Sequence, residues 1–530
     1  MMRVSVVAAL WLAAASAARL TDNPTATISA GRVVGISKSI PNGASTINQF
    51  LGIPYAEPPI GDLRFAPPKP FAAPKKGDIL ATAWPNACVQ QGSADLLTSQ
   101  SEDCLYLNVF APLGPAPGCG RTVMVWIHGG ALKTGSSAIA AYDGSYLAAR
   151  QDVIVVSINY RLSLLGFSNA PALGLGERNA GFYDQRMALQ WVQDNIGAFG
   201  GDRKKVTIFG QSSGSTSVSR LVGTMRENPP FRAAITQSGW YDYASVMDIA
   251  SDIPGLAAWD TIVTQLNCSS LSNSNDEELA CMRAVDVADV QTALAGASSL
   301  TFTAVNDDMT QLTYPEKARV EGRIARVPIL TGQAANEGTL FQDPTLTTID
   351  EFVTEFPTLE SVKTELSSAY PVGDSSYATR FDADAAIDTD IEWTCSISRI
   401  SSLTARQGIP VWRYYFNETF PNTAIDGFGV YHSADIPILF GTYDASNATA
   451  DEVKLNSVMQ TAWADFAKDP WGVGPGWPRV DVGQDHAVAA LGSPDKNPSG
   501  WTVIKNGTVD DKCGIFQSIY DDAAGGTPWW

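Results

Sequence analysis

Short, continuous apolar runs alternate along the chain with stretches of helical spacing. This pattern restricts the fold more than any other feature. Runs at 122–127 (TVMVWI), 152–159 (DVIVVSIN), 206–209 (VTIF), 233–237 (AAITQ), 327–331 (VPILT) and 410–416 (PVWRYYF) read as strands. Residues 183–195 (YDQRMALQWVQDN) read as a helix, with Met187, Leu189, Trp191 and Val192 at its apolar positions. A strand that is apolar on both faces must be covered on both faces. That is the situation of a parallel sheet between helical layers. No internal repeat or Gly/Ser linker divides the chain. The expectation is an α/β fold with long insertions, with 19–530 as one catalytic domain.

The N-terminus and the charge narrow the compartment and the partners. Arg3 precedes an apolar run over 4–15, and Ala15, Ser16, Ala17 and Ala18 offer small residues for cleavage. This predicts a secretory signal peptide over 1–18. The run is shorter than the roughly 20 residues that span a bilayer, and no later stretch replaces it. The expected mature protein is secreted, extracellular and without stable membrane anchoring. Sequons at Asn267, Asn417, Asn447 and Asn506 fit that route. The formal charge of −19 opposes binding to nucleic acid or anionic lipid heads. Seven cysteines in a secreted chain imply bridges and a leftover thiol, but counting alone leaves the pairing open. No CxxC or HExxH occurs, so a metal site has no support.

The chemistry begins at Gly210-Gln211-Ser212-Ser213-Gly214, directly after the strand 206–209 and before a helical stretch. A strand–turn–helix of this G-x-S-x-G form lifts the serine above the sheet edge, and its glycines relieve backbone crowding. A serine nucleophile needs a base, and the chain has three histidines. Proteins with this turn run in the order Ser, acid, His, which removes His128. His432 follows the late strand 410–416, whereas His486 has no such strand before it and reads as a surface or packing residue. The acid then lies between Ser212 and His432. Glu337, just past 327–331, is the favoured one among several. Gly129, Gly130 and Ala131 form a small-residue loop after 122–127, suited to backbone N–H donors for an oxyanion. The Ser213 N–H would complete the set.

Many ordered blocks resemble the type-B carboxylesterase/lipase family, which includes cholinesterases and secreted fungal lipases. They include GIPYAEPPIGDLRFAPP (52–68), SEDCLYLNVFAP (101–112), WIHGGAL (126–132), INYRLSLLGF (158–167), VTIFGQSSGS, AITQSG, VPILTGQAANEG and GVYHSADIPILFG. The resemblance covers nearly all of the mature chain. It implies an α/β-hydrolase fold and hydrolysis of carboxylic esters without metal or organic cofactor. It places Ser212, Glu337 and His432 at the triad positions, and Gly130, Ala131 and Ser213 at the oxyanion donors. It also implies the bridges Cys88–Cys104, Cys268–Cys281 and Cys395–Cys513, with Cys119 odd, and ion pairs of Arg64 with Glu102 and of Arg161 with Asp202.

The chain departs from the family pattern at several positions. Gln211 stands where Glu is common, Ser213 where Ala is common, Arg178 where Gly is common, and GGA where many members have GGG. The Cys88–Cys104 loop has no aromatic residue. Cholinesterases hold choline with a Trp in that loop and with the Glu before the serine; both are missing. Lipase-type members carry a longer amphipathic lid there. The expected substrate is therefore a dissolved, short- to medium-chain or aromatic ester. Interfacial lipase or sterol esterase activity is the alternative, and a non-catalytic adhesion protein is the reading from another class. Trp240, Tyr241 and Tyr243 read either as an aromatic acyl pocket or as core.

Overall fold

The computed structural model describes residues 23–524 except 41–44, 73–76, 93–95, 241–253, 270–273, 298, 374–375, 484–485 and 494–496. The expected signal peptide lies outside the described residues, as do Tyr241 and Tyr243.

Eleven strands form the central sheet. Its middle is a parallel run, in spatial order Ile154–Ile158, Arg121–Ile127, Gly201–Gln211, Ala233–Gln237, Ile329–Ala334, Val411–Phe416 and Ala487–Leu491. Antiparallel strands close both sides: Tyr106–Pro112, Ser45–Pro54 and Ile36–Ile40 on one, Trp501–Lys505 on the other. Every residue of Arg121–Ile127, Ile154–Ile158 and Ala233–Gln237 is buried. Side chains alternate across a strand. Val123, Val125 and Ile127 therefore join one core with Phe182, Leu189, Val192, Val218 and Leu221. Met124 and Trp126 join the opposite core with Leu147, Leu455, Met459 and Trp463. Burying one such large apolar side chain contributes about 1.5–3 kcal/mol, and this two-sided burial is what the unbroken apolar runs encode.

The helix read from 183 starts three residues earlier, at Ala180–Asn195. Its first turn contains Gly181, which lacks an apolar side chain but lets the helix press onto the Arg161 carbonyl. A Cβ there would lie 2.4 Å from that oxygen. Three disulfides join Cys88–Cys104, Cys268–Cys281 and Cys395–Cys513, and Cys119 is a free, exposed thiol. Of the sequon asparagines, Asn267 and Asn447 are exposed, and Asn417 and Asn506 are half-buried. Among the described residues no helix is long and apolar enough to cross a membrane.

Arg64 pairs with Glu102 through two contacts of 2.6 Å. The pairing expected for Arg161 is different. Its guanidinium bonds both carboxylate oxygens of Asp184, at 2.7 and 2.8 Å, and both residues are buried. The reason is topological. Arg161 follows the C-terminal end of Ile154–Ile158, while Asp202 opens Gly201–Gln211, at the N-terminal edge of the same parallel sheet. At about 3.3 Å per residue, a whole strand separates them. Asp202 instead accepts the Lys204 N–H at 2.9 Å. Asp184 comes within reach because it projects inward from the helix, and it also accepts the Arg161 backbone N–H at 3.0 Å.

Candidate active site

The C-terminal ends of the parallel strands carry the candidate site. Gly201–Gln211 leads into the helix Ser213–Thr224, and Ser212 between them has φ 57° and ψ −130°. A non-glycine residue in the left-handed region is uncommon and strained, and its neighbours must hold it there. The hold is visible. Ser212 N–H donates to Gln237 C=O at 2.9 Å, which ties the turn to the next strand. A Cβ on Gly214 would lie 2.1 Å from Ile127 O, and one on Gly210 would lie 2.6 Å from the Gly214 backbone. Only glycine lets three backbone segments meet so closely.

The loop after Arg121–Ile127 rests on this turn. A Cβ on Gly129 would sit 2.9 Å from the Ser212 Cβ. Gly130, Ala131 and Leu132 have φ of 107°, 56° and 59°. Lys133 and Thr134 N–H both donate to Gly130 C=O at 2.9 Å. The N–H groups of Gly130, Ala131 and Ser213 have no hydrogen-bond partner among the described residues. Free donors next to a strained serine are what a developing oxyanion requires.

Glu337 and His432 come from separate loops, and a short backbone clip joins them. Asn336 and Tyr431 form an isolated parallel bridge. Asn336 N–H donates to Val430 C=O at 2.9 Å, and Val430 N–H donates to Asn336 Oδ1 at 2.9 Å. Gly429, at φ 60°, makes room, because a Cβ there would lie 2.5 Å from that Oδ1. The next residue on each side is Glu337 and His432, and Glu337 Oε2 bonds His432 Nδ1. Glu337 is fully buried, and its other oxygen accepts the Ala334 N–H at 2.6 Å. This fixes the tautomer: Nδ1 carries the proton and Nε2 is left as the acceptor. In the resting structure the partner of Nε2 is Gln211, whose Nε2 lies 2.9 Å away. The Ser212 hydroxyl makes no hydrogen bond among the described residues.

Sequence reasoning missed most of what surrounds the imidazole. Phe341 meets its ring edge-on at 5.1 Å, Trp393 lies 5.5 Å away, and these two aromatic rings stack on each other. Two further buried carboxylates lie close by. Asp388 accepts from Gln342 Nε2 at 2.8 Å, and burial pushes its carboxyl up to about 7. Asp435 accepts from Gln237 Nε2 at 2.8 Å and from the Tyr414 hydroxyl at 3.3 Å, and burial pushes it up to about 6. Asp435 stood in the His432 motif block, but its inward orientation has no signature in a single sequence.

The remaining histidines lie elsewhere in chemistry or in space. His128 is buried and stacked on Tyr160, and burial lowers it to about 4. His486 is buried and immediately precedes Ala487–Leu491, so it sits at the N-terminal edge of the parallel sheet, opposite His432. It is a packing residue. Trp240 is core: its Nε1–H donates to Thr331 Oγ1 at 2.9 Å, and Arg319 lies over its ring. Leu96 and Leu97 of the Cys88–Cys104 loop help to line a cleft of about 570 Å³ with Ile139, Tyr142, Tyr431 and Ser433. The last two residues flank His432 in sequence. Among the described residues no cluster of His, Cys, Asp and Glu could hold a metal ion.

Comparisons with known proteins bear on the family and the fold. The model of the carboxylesterase family matches residues 22–506. The chain is similar to a mouse cholinesterase, 35% identical over 484 residues, which cover 83% of this chain and 78% of the relative. It is 31% identical over 462 residues to a chlorogenic acid esterase of Aspergillus niger, covering 81% of this chain and 80% of that one. A solved PNB esterase structure superposes with a TM-score of 0.76 at 28% identity, covering 93% of this chain and all of the other. The chain belongs to the carboxylesterase family, and its α/β-hydrolase fold is that of a serine ester hydrolase.

Proposed function

We propose that the protein is a secreted esterase in which Ser212, His432 and Glu337 form the catalytic triad, within one catalytic domain after the signal peptide. One observation carries the reading. The Glu337–His432 pair is held by a backbone clip beside a glycine-locked serine, with Gln211, the residue before that serine, in contact with Nε2. Ser212 Oγ attacks the ester carbonyl as Nε2 takes its proton, for which the Gln211 amide has to release the ring. The N–H groups of Gly130, Ala131 and Ser213 receive the oxyanion. The buried Glu337 carboxylate steadies the imidazolium, which then protonates the leaving alkoxide. Water repeats the cycle on the acyl-enzyme.

The substrate class follows from the site walls. The imidazole protonates the leaving oxygen, so the alcohol part lies on its side, and the sequence neighbours of His432, Tyr431 and Ser433, line the cleft. Among the described residues that line it are tyrosines and aliphatic groups and no charged side chain. It suits an uncharged alkyl or aryl alcohol better than a cation. The Cys88–Cys104 bridge ties together the two ends of the segment that bears Leu96 and Leu97. In the loop-entropy model such a bridge removes on the order of 3 kcal/mol of chain freedom from the unfolded state. With 15 residues between the cysteines, the segment is short for a swinging amphipathic lid and is read as a rim. Secretion is supported by the N-terminal sequence and by the three disulfides, which form in oxidising compartments. The test is initial rate against concentration of a short triglyceride, taken through its solubility limit. A rate that saturates below the limit supports the soluble-ester reading. A jump at the limit, with good turnover of long chains, moves the protein to the lipase reading.

A further inference from the structure

Ala131 and Leu132 are consecutive non-glycine residues in the left-handed region. Side chains disfavour that conformation, so a path of this kind persists only where its surroundings hold it. Two hydroxyls hold the ends of the loop. Leu132 N–H, at its end, donates to Ser213 Oγ at 3.2 Å. The Tyr160 hydroxyl donates to His128 C=O, at its start, at 2.8 Å. The tyrosine is itself immobilised: it is fully buried, and the His128 ring stacks on it at 4.5 Å and 21°.

We propose that the Ser213 side chain is a positioning residue, clamping the Leu132 end of the 128–132 loop to the nucleophile turn and so aiming the Gly130 and Ala131 N–H groups. The proposal rests on the reading of Ser212 as nucleophile. Alanine at 213 would keep the backbone N–H and the helix start, and would lose only the clamp. The loop would then relax from its strained path, and donors misplaced by a fraction of an ångström stabilise an oxyanion less well.

The test compares wild type with Ser213→Ala. An aryl acetate gives kcat and KM, a trifluoromethyl ketone mimics the oxyanion, and melting temperature reports the fold. Titration of wild type with a fluorophosphonate first establishes the Ser212 reading; a wild type with no titratable Ser212 would sink that reading, and the clamp with it. In a titratable enzyme, Ser213→Ala should lower kcat about tenfold with KM within about twofold. It should weaken the ketone by the same factor and hardly change melting. Lower melting with unchanged kcat and ketone affinity would make the hydroxyl purely structural and overturn the proposal. Should Ser213→Ala fail to fold, Ser213→Cys keeps the side chain's shape and replaces the hydroxyl by a weak acceptor. A parallel loss in kcat and ketone affinity supports the clamp, and unchanged values overturn it.

Discussion

The two halves of the candidate site are built in opposite ways. The nucleophile half is steric: Gly210, Gly214 and Gly129 bring the Ser212 turn and the 128–132 loop together through backbone contacts that leave no room for a Cβ. The acid–base half is assembled at long range. Glu337 and His432 are 95 positions apart and meet because one bridge joins their loops. The first half is specified by sterics and the second by buried polar groups. The two should therefore fail differently, one through geometry and fold, the other through charge and pH.

Substitutions at the nucleophile half should have the largest effects. Gly214→Ala forces a Cβ to 2.1 Å from the Ile127 carbonyl. It should abolish soluble, folded protein, as read by expression and circular dichroism. Well-folded Gly214→Ala enzyme would break the steric side of the contrast. Ser212→Ala should leave the fold intact and lower kcat by on the order of 10⁴–10⁶. In the second half, Glu337→Gln keeps the shape and removes the charge that steadies imidazolium. A fall in kcat of on the order of 10³–10⁴ with unchanged melting is expected.

Two smaller effects sharpen the charge side. Gln211→Glu puts a carboxylate 2.9 Å from His432 Nε2, favours imidazolium and should raise the acid limb of kcat/KM by on the order of one pH unit. An unmoved limb would remove Gln211 from contact with the base. Burial raises the Asp388 carboxyl to about 7, well above the unfolded value near about 3.9. Between these values the folded state binds the extra proton, so stability should fall as pH rises from about 4 to about 7. Asp388→Asn should flatten that slope in melting temperature measured against pH; an unchanged slope would show that Asp388 does not titrate in this window.

How much of this could be read in advance follows the same division. The strand Ala233–Gln237 has the bounds its apolar run suggested, because both of its faces are buried and the pattern is local. The Ser212 turn was legible because its glycines are a steric requirement written in adjacent letters. Glu337 and His432 were legible from their place after strands, but the clip through Asn336 and Gly429 that joins them was not. Arg161 found Asp184 in place of Asp202, because partner choice depends on which end of the sheet each occupies. Asp388 and Trp393 on one helical stretch, Phe341 and Asp435 come together around the imidazole, and no spacing in one chain reports that convergence. His486 was separable from His432 for a physical reason: it precedes a parallel strand, whereas His432 follows one.

The most direct test of the central claim is the rate at which a fluorophosphonate modifies the chain in wild type, His432→Ala and His486→Ala, with the adduct located by mass mapping. The expected result is a single adduct on Ser212, slowed at least about a thousandfold in His432→Ala and unchanged in His486→Ala. An adduct on another residue, or loss of labelling in His486→Ala but not in His432→Ala, would contradict the assignment of Ser212 and His432.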